Sequence, residues 1–100
     1  MKQRRVVVTG LGAITPLGNS VPEFWEGLLN GVSGASSITR FDASKFKTNF
    51  ACEVKNFDPQ KYFDRKEARK FDLVSMFGLA SVAEALEDSK LLESKFEPLR

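Results

Sequence analysis

The feature that most restricts the fold of this chain is the run of three valines in RRVVVTGLG, at residues 4–12. These β-branched residues do not alternate with polar ones, which is typical of a strand that is buried on both faces. Such strands lie in the middle of parallel sheets whose two faces are covered by helices, so further strands must flank them. The run therefore predicts an α/β protein.

The next segments predict a helix and a second, shorter strand. In GNSVPEFWEGLLNG, Ser20 and Glu23 have capping-box spacing, Pro22 lies in the first turn, and Gly31 can end the helix. The loop GLGAITPLGNS connects the valine run to this helix, and residues 33–47 read as an ordered loop with short pieces of structure. TNFACEV alternates apolar and other residues and predicts a short strand, followed by a turn or short helix in NFDPQKYF.

A single long helix is predicted from Arg65 to about Asp88, with Asp64 and Glu67 repeating the capping-box spacing. Its first turns are cationic, and LVSMFGLASVAEAL is apolar or small almost all round. The start of the helix is therefore expected to be solvated and its middle buried.

These elements do not supply enough sheet to cover the valine run and the long apolar helix. A chain of 100 residues with 42% hydrophobic residues can bury a core. Its predicted apolar faces, however, need further strands and helices to cover them, and the sequence does not contain these. The chain is therefore interpreted as the front portion of a larger α/β protein.

Composition narrows the classes of function. A net charge of +2, without interleaved aromatic residues, does not describe a nucleic-acid-binding protein. Cys52 is the single cysteine, which excludes an internal disulfide and favours a reducing compartment. No apolar run approaches the roughly 20 residues that span a bilayer, and the first residues lack a secretory signal. The expected location is the cytoplasm, without membrane association.

Several kinds of active site are also excluded. The chain has no histidine, the usual partner of a serine or cysteine nucleophile and the commonest metal ligand. Cys52 lies on the apolar side of its predicted strand and is expected to be a buried structural thiol. Gly10 and Gly12 begin a dinucleotide fingerprint that fails at Thr15, and the carboxylates have no metal-loop spacing.

Four stretches in this order and spacing, namely RRVVVTGLG, TPLGN, SGASSITRFD and RKEARKFD, resemble the amino-terminal part of the bacterial β-ketoacyl-acyl-carrier-protein synthase II family. The resemblance covers all but the last few residues. It implies that residues 1–100 are an amino-terminal fragment of a thiolase-like fold, with layered sheets and helices in the full protein, assembled as a homodimer.

The resemblance also implies a reaction. Such enzymes elongate an acyl-acyl carrier protein by decarboxylative condensation with malonyl-acyl carrier protein, using one cysteine and two histidines and no organic or metal cofactor. Those residues lie downstream of this segment in the family, and Cys52 does not match the family nucleophile. The chain alone is therefore expected to be inactive.

The family uses a basic patch to receive the acidic helix of acyl carrier protein, and the matching residues here are Lys66, Arg69 and Lys70. The residues independently support the same three, because their spacing places them on one face of a helix. A purely solubilising charged face is the alternative. Lys61 and Arg65 are left out of the predicted site.

Other members of the same fold family fit the resemblance too. They are the type I condensing enzyme and a polyketide ketosynthase. A different class is a non-catalytic ketosynthase-like partner, which keeps the carrier surface but lacks the nucleophile. The remaining alternative is a binding module that uses only its basic helix.

Overall fold

A computed structural model of the chain describes residues 3–93. Its helices are α1 (Val21–Leu29), α2 (Arg65–Lys70) and α3 (Leu73–Ser89), and its strands are β1 (Ala35–Ser37) and β2 (Phe50–Cys52). Two short 3-10 turns, Pro59–Lys61 and Leu91–Glu93, complete the regular structure of this range.

Helix α1 begins and ends where the sequence predicts. Ser20 is its N-cap, and the Ser20 hydroxyl accepts a hydrogen bond from the Glu23 N–H at 3.4 Å. At the other end Gly31 has φ +66, and the N–H groups of Gly31 and Val32 donate back to the carbonyls of Leu28 and Gly27. This pair of bonds is a Schellman motif, which requires a residue in the left-handed region and therefore favours glycine.

The segment before α1 lies directly against α3, and glycine makes this approach possible. A Cβ atom added to Gly10 would meet the backbone of Ala85 and would lie 2.7 Å from the Ser89 nitrogen. One added to Gly12 would overlap the Ser81 carbonyl. Serine and alanine recur here at every fourth position of α3, so small residues are present on both sides of the contact.

Two carboxylates of α3 hold the same segment by long-range hydrogen bonds. The Glu84 carboxylate accepts from the N–H groups of Ala13 and Val21, both at 2.9 Å, and the Asp88 carboxylate accepts from the Leu11 N–H at 3.0 Å. Val21 is the first residue of α1, so Glu84 joins the start of α1, the preceding loop and α3.

The predicted second strand is confirmed as β2, and it pairs antiparallel with β1. The register places Ala35 opposite Cys52 and Ser37 opposite Phe50. Beyond the strands, the Glu53 side chain is only 12% exposed and accepts from Thr39 and Arg40. The hydrogen bond from the Thr39 hydroxyl is the largest cause that lowers the pKa of Glu53 below its ordinary value.

The prediction of a buried valine strand is wrong for the described residues. Val6, Val7 and Val8 are 90%, 61% and 78% exposed, and they belong to no strand within residues 3–93. The sheet of the described range consists of β1 and β2 alone, and the valine run pairs with neither of them. Its exposure agrees with the expectation that the strands which would flank it are not contained in this chain.

The prediction of one continuous helix after Asp64 is also wrong, because the chain leaves the helical conformation at Phe71. Phe71 has φ −108 and ψ 141, and Asp72 then caps α3 by accepting from the Ser75 N–H at 2.8 Å. This bond is the largest cause that lowers the pKa of Asp72 below its ordinary value. The basic residues and the apolar helix are thus carried by two separate helices.

The middle of α3 is buried on one face only, which corrects the expectation of burial almost all round. Met76 and Ala80 are buried, and with Ala43 they are the buried hydrophobic residues of the range 3–93. Val74 is 79% exposed, and Leu79 and Val82 are also exposed. The described part of the chain has no element that covers this second face.

Cys52 is exposed rather than buried, so its predicted role as a packed structural thiol is wrong here. Phe50, on the same side of β2, is exposed as well. The alternation of TNFACEV correctly indicated a strand, but a two-stranded hairpin leaves that apolar side uncovered. Separately, the structure contains no helix within residues 3–93 that is long and apolar enough to cross a membrane.

Candidate functional site

The candidate site is the exposed surface of α2, whose start is fixed by the predicted cap. The Asp64 carboxylate accepts a hydrogen bond from the Glu67 N–H at 2.7 Å, and the Asp64 carbonyl accepts from the Ala68 N–H at 2.9 Å. These bonds satisfy donors that every helix leaves free at its first turn. Asp64 therefore determines where the cationic segment becomes helical.

Three predicted site residues, Lys66, Arg69 and Lys70, lie together on α2 and define what we call the basic face. They occupy positions i, i+3 and i+4, an arc of about 100° at 100° per residue. All three are exposed, and within residues 3–93 none of them forms an ion pair. The ion pair of this range joins Arg40 and Glu53, with 3.9 Å between Nε and Oε2. The basic face thus presents its charge to solvent.

The short length of α2 concentrates this charge. Four cations and one carboxylate, Glu67, leave the six residues of the helix with a net charge of +3. Lys61, which the sequence analysis left out, lies in the preceding 3-10 turn with its ammonium 5.7 Å from the Tyr62 ring centre. Lys61 therefore lies outside α2, in the turn that packs beside that helix.

Aromatic residues bracket α2, a feature that the sequence analysis missed. Phe63 precedes the N-cap and Phe71 is the C-cap, and their ring centres lie 5.5 Å apart at 44°. The sequence carries a signal for this pair, since KYFDRKEARKFD places one phenylalanine just before each of two helix-capping aspartates. The signal becomes readable only once Asp72 is recognised as a second cap.

A polar groove between the loop before α1 and the residues that precede α2 was also not predicted. It has a volume of about 420 Å³ and is lined by residues 16–20 and 55–58 together with Glu23, Lys61 and Tyr62. Within it the Asn19 amide donates to the Lys55 carbonyl at 2.9 Å, while Asn19 Oδ1 is buried without a hydrogen-bond partner in the described range. The residues that line the groove come from distant parts of the sequence, so no local sequence pattern predicts the groove.

Side chains that could bind a metal ion are not clustered within the described residues. Residues 3–93 contain no group of three or more potential metal ligands, and the whole sequence lacks histidine. The arrangement that the structure does provide is a compact, solvent-facing cationic surface, which can attract and orient an acidic partner.

Comparison with known proteins gives a consistent result. Residues 3–100 match the family model described as "Beta-ketoacyl synthase, N-terminal domain". The chain is 52% identical over 91 residues to 3-oxoacyl-[acyl-carrier-protein] synthase 2 of Coxiella burnetii and 47% identical over 92 residues to that of Synechocystis. These matches cover 91% and 92% of the chain but only 22% of each relative, so the chain spans about a fifth of their length.

Two solved structures are similar as well. The ishigamide ketosynthase/chain length factor matches with a TM-score of 0.80 and 38% identity, over 90% of this chain and 22% of that one. A type II PKS acyl-carrier protein in complex with its ketosynthase, bound to the hexaketide, matches with a TM-score of 0.67 and 30% identity, over 97% and 25%. Together with the family model, these matches show that the chain belongs to the β-ketoacyl synthase family, whose amino-terminal domain its residues 3–100 match.

Proposed function

We propose that residues 1–100 are the amino-terminal segment of a 3-oxoacyl-[acyl-carrier-protein] synthase of the second type, a homodimeric condensing enzyme of fatty-acid synthesis with a layered thiolase-like fold, acting in the cytoplasm. The names of the relatives at 47–52% identity support the enzyme class. The exposed valines and the exposed second face of α3 support the interpretation of the chain as a fragment, because in soluble proteins extensive exposed apolar surface usually marks an interface.

In this proposal the full-length enzyme extends an acyl chain in two stages. A cysteine thiolate outside this segment attacks the acyl thioester of the carrier, which forms an acyl-cysteine thioester and releases the thiol of the carrier. Loss of CO₂ from malonyl-acyl carrier protein leaves a carbanion, which attacks the thioester carbonyl and releases the thiolate. The segment contributes none of these reacting groups, so its own residues serve folding and carrier recognition, and the isolated chain is expected to be inactive.

The basic face is the part of the segment that we assign to carrier docking. The observation that carries this assignment is the trio Lys66, Arg69 and Lys70, exposed on one side of α2 without an ion-pair partner in the described range. An acidic carrier helix would be steered by this field and oriented when the charges meet. The similar solved complex of a ketosynthase with an acyl-carrier protein supports a carrier as the partner.

Reversing the three charges, with Lys66, Arg69 and Lys70 changed to glutamate, is expected to raise the apparent KM of the full-length synthase for acyl carrier protein by roughly ten-fold at low salt. Exposed ion pairs contribute about 0.2–1 kcal/mol each, so three together contribute about 0.6–3 kcal/mol, and a ten-fold change of about 1.4 kcal/mol lies within these limits. The kcat and the melting temperature are expected to stay unchanged. Added salt is expected to shrink the difference, because it screens exposed charges.

A matched pair of double variants separates a specific surface from general charge. Arg69→Glu/Lys70→Glu and Lys45→Glu/Lys47→Glu change the net charge equally, and Lys45 and Lys47 lie in the exposed loop between β1 and β2. We expect only the first to raise the KM appreciably. Equal KM values for both doubles, or a triple variant with wild-type carrier kinetics at low salt, would exclude the basic face as a docking surface.

A second candidate is a ketosynthase of polyketide synthesis or its non-catalytic partner. The similarity to the ishigamide ketosynthase/chain length factor favours keeping it. A condensing enzyme of either pathway must carry the nucleophilic cysteine in the rest of the polypeptide, whereas the non-catalytic partner lacks it. Acylation of the full-length protein by a long-chain acyl carrier protein, followed by mass spectrometry, distinguishes an enzyme from a non-catalytic partner.

A further inference from the structure

Helix α2 is too short and too cationic to be stable by itself. Isolated helices much shorter than about 12 residues are marginal even in favourable sequences, and α2 has six residues. Lys66 and Lys70 are like charges four residues apart, as are Arg65 and Arg69. Each of these two pairs destabilises a helix through repulsion. Arg65 and Lys66 also place positive charge at the N-terminus, where the helix dipole disfavours it. Something outside the helix must therefore hold it.

The contacts at its two ends supply this support. The extended backbone of Phe71 ends the helix, and its ring lies 5.5 Å from the ring of Phe63 on the other side of the N-cap. Asp64 anchors the first turn, and Asp72 anchors the chain again immediately after the helix. The Phe63–Phe71 ring pair therefore joins the entry and the exit of α2 and closes the segment into a compact unit.

We infer that the Phe63–Phe71 ring pair is the positioning element of the basic face, which it holds in helical form before the carrier arrives. This inference rests on the proposed function. The three cations can meet a rigid acidic helix together only if α2 is already formed, since ordering it during binding would cost affinity. Charge on the basic face then governs how fast the carrier arrives, and the ring pair governs how long it stays.

The test measures association and dissociation rates of acyl carrier protein with the full-length synthase by surface plasmon resonance. Phe71→Ala removes the ring contact and leaves every charge in place. We expect its dissociation rate to rise about three- to ten-fold, with an association rate within two-fold of wild type. The triple charge reversal is expected to do the opposite: it lowers the association rate and changes the dissociation rate little.

Two further variants refine the test. Phe71→Leu keeps an apolar side chain but removes the ring, and it takes the place of Phe71→Ala if the alanine variant does not fold. Phe71→Tyr keeps the ring and is expected to dissociate at the wild-type rate. Phe41→Ala is the matched control, because Phe41 pairs with Phe46, at 5.8 Å, in the loop between β1 and β2. Amide hydrogen exchange at residues 65–70 is expected to accelerate in Phe71→Leu and to stay unchanged in Phe41→Ala.

The outcomes separate the inference from the proposed function. Wild-type dissociation and wild-type exchange at residues 65–70 in Phe71→Leu would overturn the role of the ring pair, even if charge reversal still weakened binding. A triple charge reversal without any effect on either rate would instead overturn carrier docking itself. Faster exchange together with faster dissociation, reversed in Phe71→Tyr, is the result that the inference requires.

Discussion

Replacing Gly10 with valine in the full-length synthase is expected to lower the free energy of unfolding by about 3 kcal/mol or more. The new Cβ would collide with the backbone of Ala85 and approach the Ser89 nitrogen, and a helix backbone cannot yield as a flexible side chain does. The segment at residues 10–13 would have to move away from α3 and lose its hydrogen bonds to Glu84 and Asp88. The midpoint of urea unfolding measures the loss.

A glycine within α3 provides the control for this prediction. A Cβ added to Gly78 would meet nothing within 4 Å in the described structure, so in residues 1–100 alone Gly78→Ala is expected to favour the helix by up to about 1 kcal/mol, measured as a gain in helical circular dichroism. Even the smallest change at the contact, Gly12→Ala, is expected to destabilise, because its Cβ would overlap the Ser81 carbonyl. Native stability in Gly10→Val would show that the close approach to α3 is not required.

Replacing Glu84 with alanine is the second change with a large expected effect, a loss of about 2–4 kcal/mol. One carboxylate accepts from two backbone N–H groups, those of Ala13 and Val21, in a partly buried site. Removing it leaves both donors without a partner, and an unsatisfied buried donor costs about 1–3 kcal/mol. The change also disconnects the start of α1 from α3. Urea unfolding of the full-length synthase measures this loss.

Glu87→Ala removes an equal charge from the same helix and is the matched control. Glu87 is exposed, and we expect a change within about 0.5 kcal/mol. Glu84→Gln should lie between the two, because its amide retains one acceptor oxygen. If Glu84→Ala and Glu87→Ala destabilised the protein equally little, the hydrogen bonds of Glu84 would not be a significant connection between α1 and α3.

Features that depend on a few neighbouring residues could be predicted from the sequence. The caps Ser20 and Asp64 each accept from the N–H three residues ahead, so their capping-box spacing alone identifies them. Gly31 is also a local signal, because a glycine directly after the apolar stripe of a helix indicates where the helix ends. The exposed trio on α2 is also local, because helical spacing determines which side chains share a face.

The break between α2 and α3 was missed although its signal is local. Asp72 precedes Ser75 by three residues and is an N-cap, but the apolar pattern of the segment favoured a continuous helix. The exit at Phe71 is what allows its ring to reach Phe63, so the missed cap concealed the ring pair too.

Features that join distant residues could not be predicted. The hydrogen bonds from Ala13 to Glu84 and from Leu11 to Asp88 span 71 and 77 positions. No local sequence pattern around these residues specifies which of them pair. The exposure of Val6, Val7 and Val8 and of Cys52 depends on which elements cover them. The sequence predicts that these 100 residues cannot bury all of their apolar residues, but it does not identify which elements stay uncovered.

The central claim, that this segment requires the rest of a synthase to complete its fold, is tested most directly by unfolding residues 1–100 in isolation with an apolar fluorescent dye present. We predict a gradual loss of helical circular dichroism with rising urea and strong dye fluorescence before any urea is added. A sharp and reversible transition, without dye fluorescence in the native state, would contradict the claim.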